Sequence, residues 1–133
     1  MNEVSTAEEA HPRNHALIIG FSEFNYFDDL PNVESTTRAW KRMLAISRGR
    51  SRVFDEIHGP WLNLEPVKVN ERLVDFLNKL ALGDRLVVFL VGHGAIIGDE
   101  KRPLLALPSR EADPNNFIDE HWLKVPAIIA RLE

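Results

Sequence analysis

Apolar positions along the chain follow two kinds of pattern. His15-Ala-Leu-Ile-Ile-Gly20 is a short unbroken apolar run. It is too short for a helix, and its β-branched residues predict a strand buried on both faces. Arg85-Leu-Val-Val-Phe-Leu-Val91, entered from Asp84, is a stronger run of the same kind and predicts the central strand of a covered sheet. Pro103 to Pro108 predicts a further short strand. Between these runs the period changes. Val69, Leu73, Phe76, Leu77 and Leu80 recur at helical spacing, with Gly83 placed as a left-handed residue closing the helix. Ser35 or Thr36 predicts the cap of another helix, running to about Ile46 with Trp40, Met43, Leu44 and Ser47 on one face and Arg48-Gly49-Arg50 at its end. Ser51 to Ile57 alternates poorly and predicts a weaker strand. Gly59-Pro60 reads as a chain break and Trp61 to Pro66 as a loop. Phe117 to Leu123 predicts a helical turn or short helix, and Pro126 the first residue of a helix over 127–132.

Strand, helix, strand, helix, strand is the order of an α/β fold. Right-handed crossovers place helices on both faces of a mostly parallel sheet. Ligands of such sheets collect beyond the carboxyl ends of the strands. The polar loop Phe21 to Asn32 and the residues after Val91 both lie on that edge, so they can form one site.

Composition narrows the classes. A chain of 133 residues with 44% hydrophobic residues suits one domain with a packed core. Residues 1–13 read as a polar, acidic arm, and 14–133 as the domain. A net charge of −4 argues against a polyanion binder. The basic stretch of Arg38, Lys41, Arg42, Arg48, Arg50 and Arg52 reads as a solvated helix face, so nucleic acid is not an expected partner. No apolar run approaches the ~20 residues of a membrane span. No basic-then-apolar leader opens the chain, so a cytoplasmic protein with no membrane partner is expected. The absence of cysteine excludes disulfides, thiolate zinc sites and any thiol nucleophile within these residues. His58 and His121 read as loop histidines with no partner ligand, and His15 as structural or exposed. No metal or cofactor is expected. Trp61 and Trp122 read as core or rim packing.

His93 carries the candidate chemistry. It stands between Gly92 and Gly94, directly after the strongest strand run. Small neighbours let a substrate approach closely, and the Gly94 N–H could face a developing oxyanion. A nucleotide-binding reading of Gly92-x-Gly94-x-x-x-Gly98 fails because a charged turn and another strand follow, where a helix N-terminus is required.

The ordered set resembles the caspase-like peptidase family, in its bacterial and metacaspase-like branches. It comprises His15-Ala-Leu-Ile-Ile-Gly-Phe-Ser, Leu30-Pro31-Asn32-Val33 opening a helix, Asp84-x-Leu-Val-Val-Phe-Leu-Val-Gly-His-Gly, and Leu105-Ala-Leu-Pro-Ser109 with Asp113. The match runs from about residue 14 to the end. The resemblance implies a caspase-like three-layer sandwich, here a partial domain lacking the cysteine-bearing strand. It implies a cysteine endopeptidase in which His93 is the base of a Cys–His dyad and Gly94 supplies an oxyanion N–H. The nucleophilic cysteine is then expected beyond the C-terminus or on another chain, and the isolated chain is expected to be inactive. Asp28 and Asp29 lie where the family's basic-residue specificity is read, although Ser35-Thr36-Thr37 stands where its helix carries an Asp. Expected partners are a protein or peptide substrate, the remainder of the domain, and a regulatory or defence-system protein. The alternative is an inactive caspase-fold scaffold in signalling or antiviral defence.

Overall fold

The computed structural model describes residues 12–45, 53–97 and 104–132. The first eleven residues of the expected arm, the end of the first helix with Arg48 to Arg50, and the charged turn from Gly98 to Pro103 lie outside the described residues.

The elements run β1 (Asn14–Gly20), α1 (Val33–Leu44), β2 (Glu56–Leu62), α2 (Pro66–Asn78), β3 (Arg85–Val91), β4 (Ala95–Ile97), β5 (Leu104–Pro108), a 3₁₀ turn (Asp119–His121), β6 (Trp122–Lys124) and α3 (Val125–Leu132). Three strands form a parallel sheet in the order β2-β1-β3. Leu17, Ile18 and Ile19 of β1 are fully buried, each contributing about 1.5–3 kcal/mol by burial. Successive residues of a strand point to opposite faces. On one face, Leu17, Ile19 and Phe21 pack with Val69 and Leu73 of α2. On the other, Gly20 lies so close to α1 that a Cβ there would sit 3.1 Å from Val33 Cγ1. Helices therefore cover both faces, as the alternating pattern requires.

Several expectations change. The central strand is β1. β3 is an edge of the parallel sheet among the described residues, and its two faces differ. Leu86, Val88 and Leu90 pack on the core, whereas Val87 is 46% exposed. Leu104–Pro108 does not extend the parallel sheet. It centres a second, antiparallel sheet between β4 and β6. Of the two alternatives for Phe117 to Leu123, the helical turn is present as a single 3₁₀ turn leading into β6, and the short helix is not.

α1 begins earlier than Ser35, with Asn32 at its N-cap. The Ser35 and Thr37 hydroxyls instead bond backward, Ser35 to the Asn32 carbonyl and Thr37 to those of Val33 and Glu34. α2 starts at Pro66, whose missing N–H costs nothing in a first turn. It ends at Asn78, so Gly83, at φ +90°, serves the turn before β3 and does not close the helix. β2 runs straight through Gly59-Pro60, and His58 is a strand residue. The register with β1 shifts between Leu17 and Ile19, which is a bulge. An edge strand tolerates a proline there, because that position has no ladder bond to lose. Trp122 is buried and Trp61 packs half-buried on the core, beneath the Arg72 guanidinium at 5.8 Å. No described helix is long and apolar enough to cross a membrane.

Candidate functional site

The loop after β1 and the turn after β3 meet at the carboxyl edge of the sheet. They are joined at their roots by the Phe21 N–H, which donates to the Val91 carbonyl at 2.9 Å. Gly92 packs against this root. A Cβ there would lie 3.5 Å from Phe21 Cβ and 3.3 Å from Leu107 Cδ2. The sharp turn therefore brings His93 back over the 21–32 loop.

His93 is held on three sides. Its ring stacks on Phe27 at 5.6 Å and packs against Phe24 at 4.8 Å. Its Nε2 lies 2.8 Å from the Asp28 carbonyl oxygen. A carbonyl can only accept, so Nε2 carries the proton and a neutral His93 keeps its lone pair on Nδ1. A base oriented by a third group is the arrangement that nucleophilic catalysis uses. Gly94 is exposed, and a Cβ there would touch only Leu105 Cδ1, at 3.9 Å. That leaves room for a substrate beside the imidazole.

The two aspartates reach this place differently from what a specificity role suggests. Asp28 meets His93 through its backbone, and its side chain is not part of that bond. The Asp29 carboxylate accepts from the Phe24 N–H at 2.9 Å and so closes the loop on itself. Beside the loop, a cleft of about 210 Å³ is lined by Leu30, Pro31, Asn32, Val33, Thr36 and Val91. Neither aspartate lines it.

Asn63 went unnoticed in the sequence. It sits just past β2 at φ +56°, a conformation that asparagine tolerates better than most residues. Its Oδ1 accepts from the N–H groups of Ser22 and Glu23 at 2.8 and 3.2 Å, and its Nδ2 donates to Ser22 Oγ at 3.0 Å. Asn25 ties the far side of the loop to the Arg110 carbonyl at 2.9 Å, and Glu23 pairs with Arg110. The loop carrying Asp28 is thus fixed from two directions. Asn63→Ala is expected to lower stability by about 2 kcal/mol, through stranded donors and backbone strain. Asn63→Gly, which relieves the strain, should recover part of that loss in urea unfolding.

A second cluster lies at the opposite, amino-terminal edge of the same sheet. His58 faces His15 and Glu56, so it is not the partnerless loop histidine the sequence suggests. His15 Nδ1, His58 Nε2 and Glu56 Oε2 lie 3.2, 3.4 and 3.5 Å from one another. His15 Nε2 is 3.0 Å from Asp84 Oδ2. Burial, chiefly, pushes the His58 imidazole below its ordinary value, against the opposing pull of Glu56. The Asp84 carboxyl is held below its ordinary value first by the Arg13 N–H, then by the Ala81 N–H and His15. The signal for this cluster, Glu-x-His on one strand face, was present in the sequence. The strand register that brings His15 opposite Glu56 was not.

The basic residues of α1 fit a solvated face. Arg38 pairs with Glu34 one turn away, and Lys41 donates to the Gly59 carbonyl. Arg48, Arg50 and Arg52 lie outside the described residues. Comparison with family models and with curated proteins gives no match for this chain.

Proposed function

We propose that this chain is the histidine-bearing portion of a caspase-like cysteine endopeptidase, with His93 as the base that draws the proton from a cysteine thiol. The observation that carries the reading is the Nε2 bond to the Asp28 carbonyl. It fixes the tautomer, aims the Nδ1 lone pair, and leaves His93 at the sheet edge where α/β sites form. Gly94, open to solvent, offers its N–H to the oxyanion of the tetrahedral intermediate. The cleft beside Val91 would take an apolar part of the peptide. These residues contain no cysteine, so the nucleophile comes from another segment of polypeptide. The caspase-like form of the three-layer sandwich, a cytoplasmic location, and roles in signalling or antiviral defence all belong to this reading.

A second reading, an inactive caspase-fold module that binds partners, is favoured by one surface. Trp40, Met43, Leu44 and Phe89 line an apolar groove of about 210 Å³ between α1 and the outer edge of β3. In a complete peptidase, the cysteine-bearing strand would lie along that edge.

A thiol-directed peptide probe separates the two. In the complete domain, the probe is expected to modify one cysteine, located by mass spectrometry, and to abolish peptide cleavage. Failure of any cysteine to react under conditions where the folded domain is intact would overturn the peptidase reading and leave the scaffold.

A further inference from the structure

The cluster at the amino-terminal edge contains three atoms that can each present a lone pair to one point. The Asp84 carboxylate, kept ionised by two backbone N–H groups, can only accept. His15 Nε2 must therefore carry a proton toward it, and in neutral His15 the Nδ1 is a bare lone pair. That lone pair faces Glu56 Oε2 at 3.5 Å and His58 Nε2 at 3.2 Å. Neutral His58 can place at most one proton among these atoms, and that proton serves one neighbour only. A cation at the centre would satisfy all three.

The spacing selects the kind of cation. Donors bound at about 2.0–2.1 Å in a tetrahedral site are about 3.3–3.4 Å apart. At the same bond length an octahedral face would hold them about 3.0 Å apart. The observed edges of 3.2, 3.4 and 3.5 Å fit the tetrahedron. Two imidazoles and one carboxylate suit zinc better than the all-oxygen preference of calcium or magnesium.

We propose that His15 Nδ1, His58 Nε2 and Glu56 Oε2 form a tetrahedral Zn²⁺ site, with the fourth position open to water. Its surroundings support this. The His15 side chain is only 5% exposed, and Asp84 orients it as the outer carboxylate of a carboxylate–histidine–zinc arrangement. Arg13 engages the other Glu56 oxygen at 2.9 Å, leaving Oε2 for the ion. Phe76 of α2 packs its ring edge to face with His58 at 4.5 Å and shields the site. His58 and Glu56 remain partly open, 29% and 40% exposed, so water can reach the site. Burial already favours the neutral His58 that a metal needs. The ion would clamp β1 to β2 at the sheet's amino-terminal edge. Seven residues of strand separate that edge from His93, on the order of 20 Å. The site is therefore structural with respect to the proposed peptidase, and it stands independently of that reading.

The full chain, stripped of metal, is titrated with Zn²⁺ in competition with a chromophoric chelator. One ion per chain is expected, with a thermal midpoint raised by about 8–14 °C at a hundredfold excess over Kd. His58→Gln and Glu56→Gln, both at partly exposed positions, should each weaken binding at least about 100-fold, and Asp84→Asn by about 10–100-fold. His93→Gln should leave it unchanged. In the unmutated chain, Co²⁺ should give the intense visible absorption of a tetrahedral site, a readout that needs no variant to fold. Binding that survives His58→Gln, a weak six-coordinate Co²⁺ spectrum, or no saturable uptake would each overturn the proposal. The cluster would then be a hydrogen-bonded contact tying β1 to β2 and to Asp84.

Discussion

Under the proposed peptidase reading, replacing His93 by alanine in the complete domain is expected to lower kcat/KM for peptide cleavage by about 10²–10⁴-fold, the usual contribution of a positioned general base. The loss should appear in kcat, because proton transfer belongs to the transition state and not to peptide binding. Alanine also removes a ring packed between Phe24 and Phe27, so some stability is lost with it. His93→Gln separates the two effects. A glutamine amide can still donate to the Asp28 carbonyl and fill part of the gap, but it cannot accept a proton at neutral pH. Thermal midpoint recovered in His93→Gln with cleavage still lost is the expected pair of results, read by steady-state kinetics and thermal unfolding. Cleavage that persists in both variants would remove His93 from the chemistry.

The two edges of the sheet were unequally legible in the sequence. His93 could be found because its signal is local, a glycine-flanked histidine closing an apolar run. Its partner could not, because the Asp28 carbonyl is a backbone atom and every residue has one. Asn63 acts across forty-one positions on Ser22, and no spacing reports that. The zinc-type cluster needs the pairing of His15 with Glu56, which follows from a register set by tertiary packing. β1 and β3 were visible as apolar runs, yet their rank was inverted. The strength of an apolar run does not say which strand has neighbours on both sides. β4 and β6 span three residues each, below the length at which alternation is recognisable.

β2 fared worst, and the reason leads to a large expected stability effect. Gly59-Pro60 signals a break, but here glycine lets the strand continue. Gly59 has φ +93°, outside the range that side-chain-bearing residues readily adopt. It lies opposite Ile18, at the bulge where β2 gains residues on β1. A Cβ at Gly59 would stand 2.5 Å from the Ile18 carbonyl oxygen and 3.0 Å from the Trp61 nitrogen. Both are backbone atoms of paired strands, so neither can turn aside as a side-chain end could. Ile18 sits fully buried in the central strand, and any shift there disturbs both neighbouring strands. Gly59→Ala is therefore expected to destabilise the fold by about 3–4 kcal/mol, combining backbone strain with displacement of the bulge. At roughly 3–5 °C per kcal/mol for a domain of this size, that is a fall of about 10–15 °C or more in thermal midpoint. Gly20→Ala supplies the contrast. The atoms nearest its Cβ would be side-chain atoms of Leu62, Val33 and Thr37, none nearer than 3.1 Å, and these can give slightly. A clearly smaller loss at Gly20 than at Gly59 is expected in parallel denaturant titrations. Equal losses would mean that crowding against side chains, and not the left-handed backbone at the bulge, governs how β2 is held.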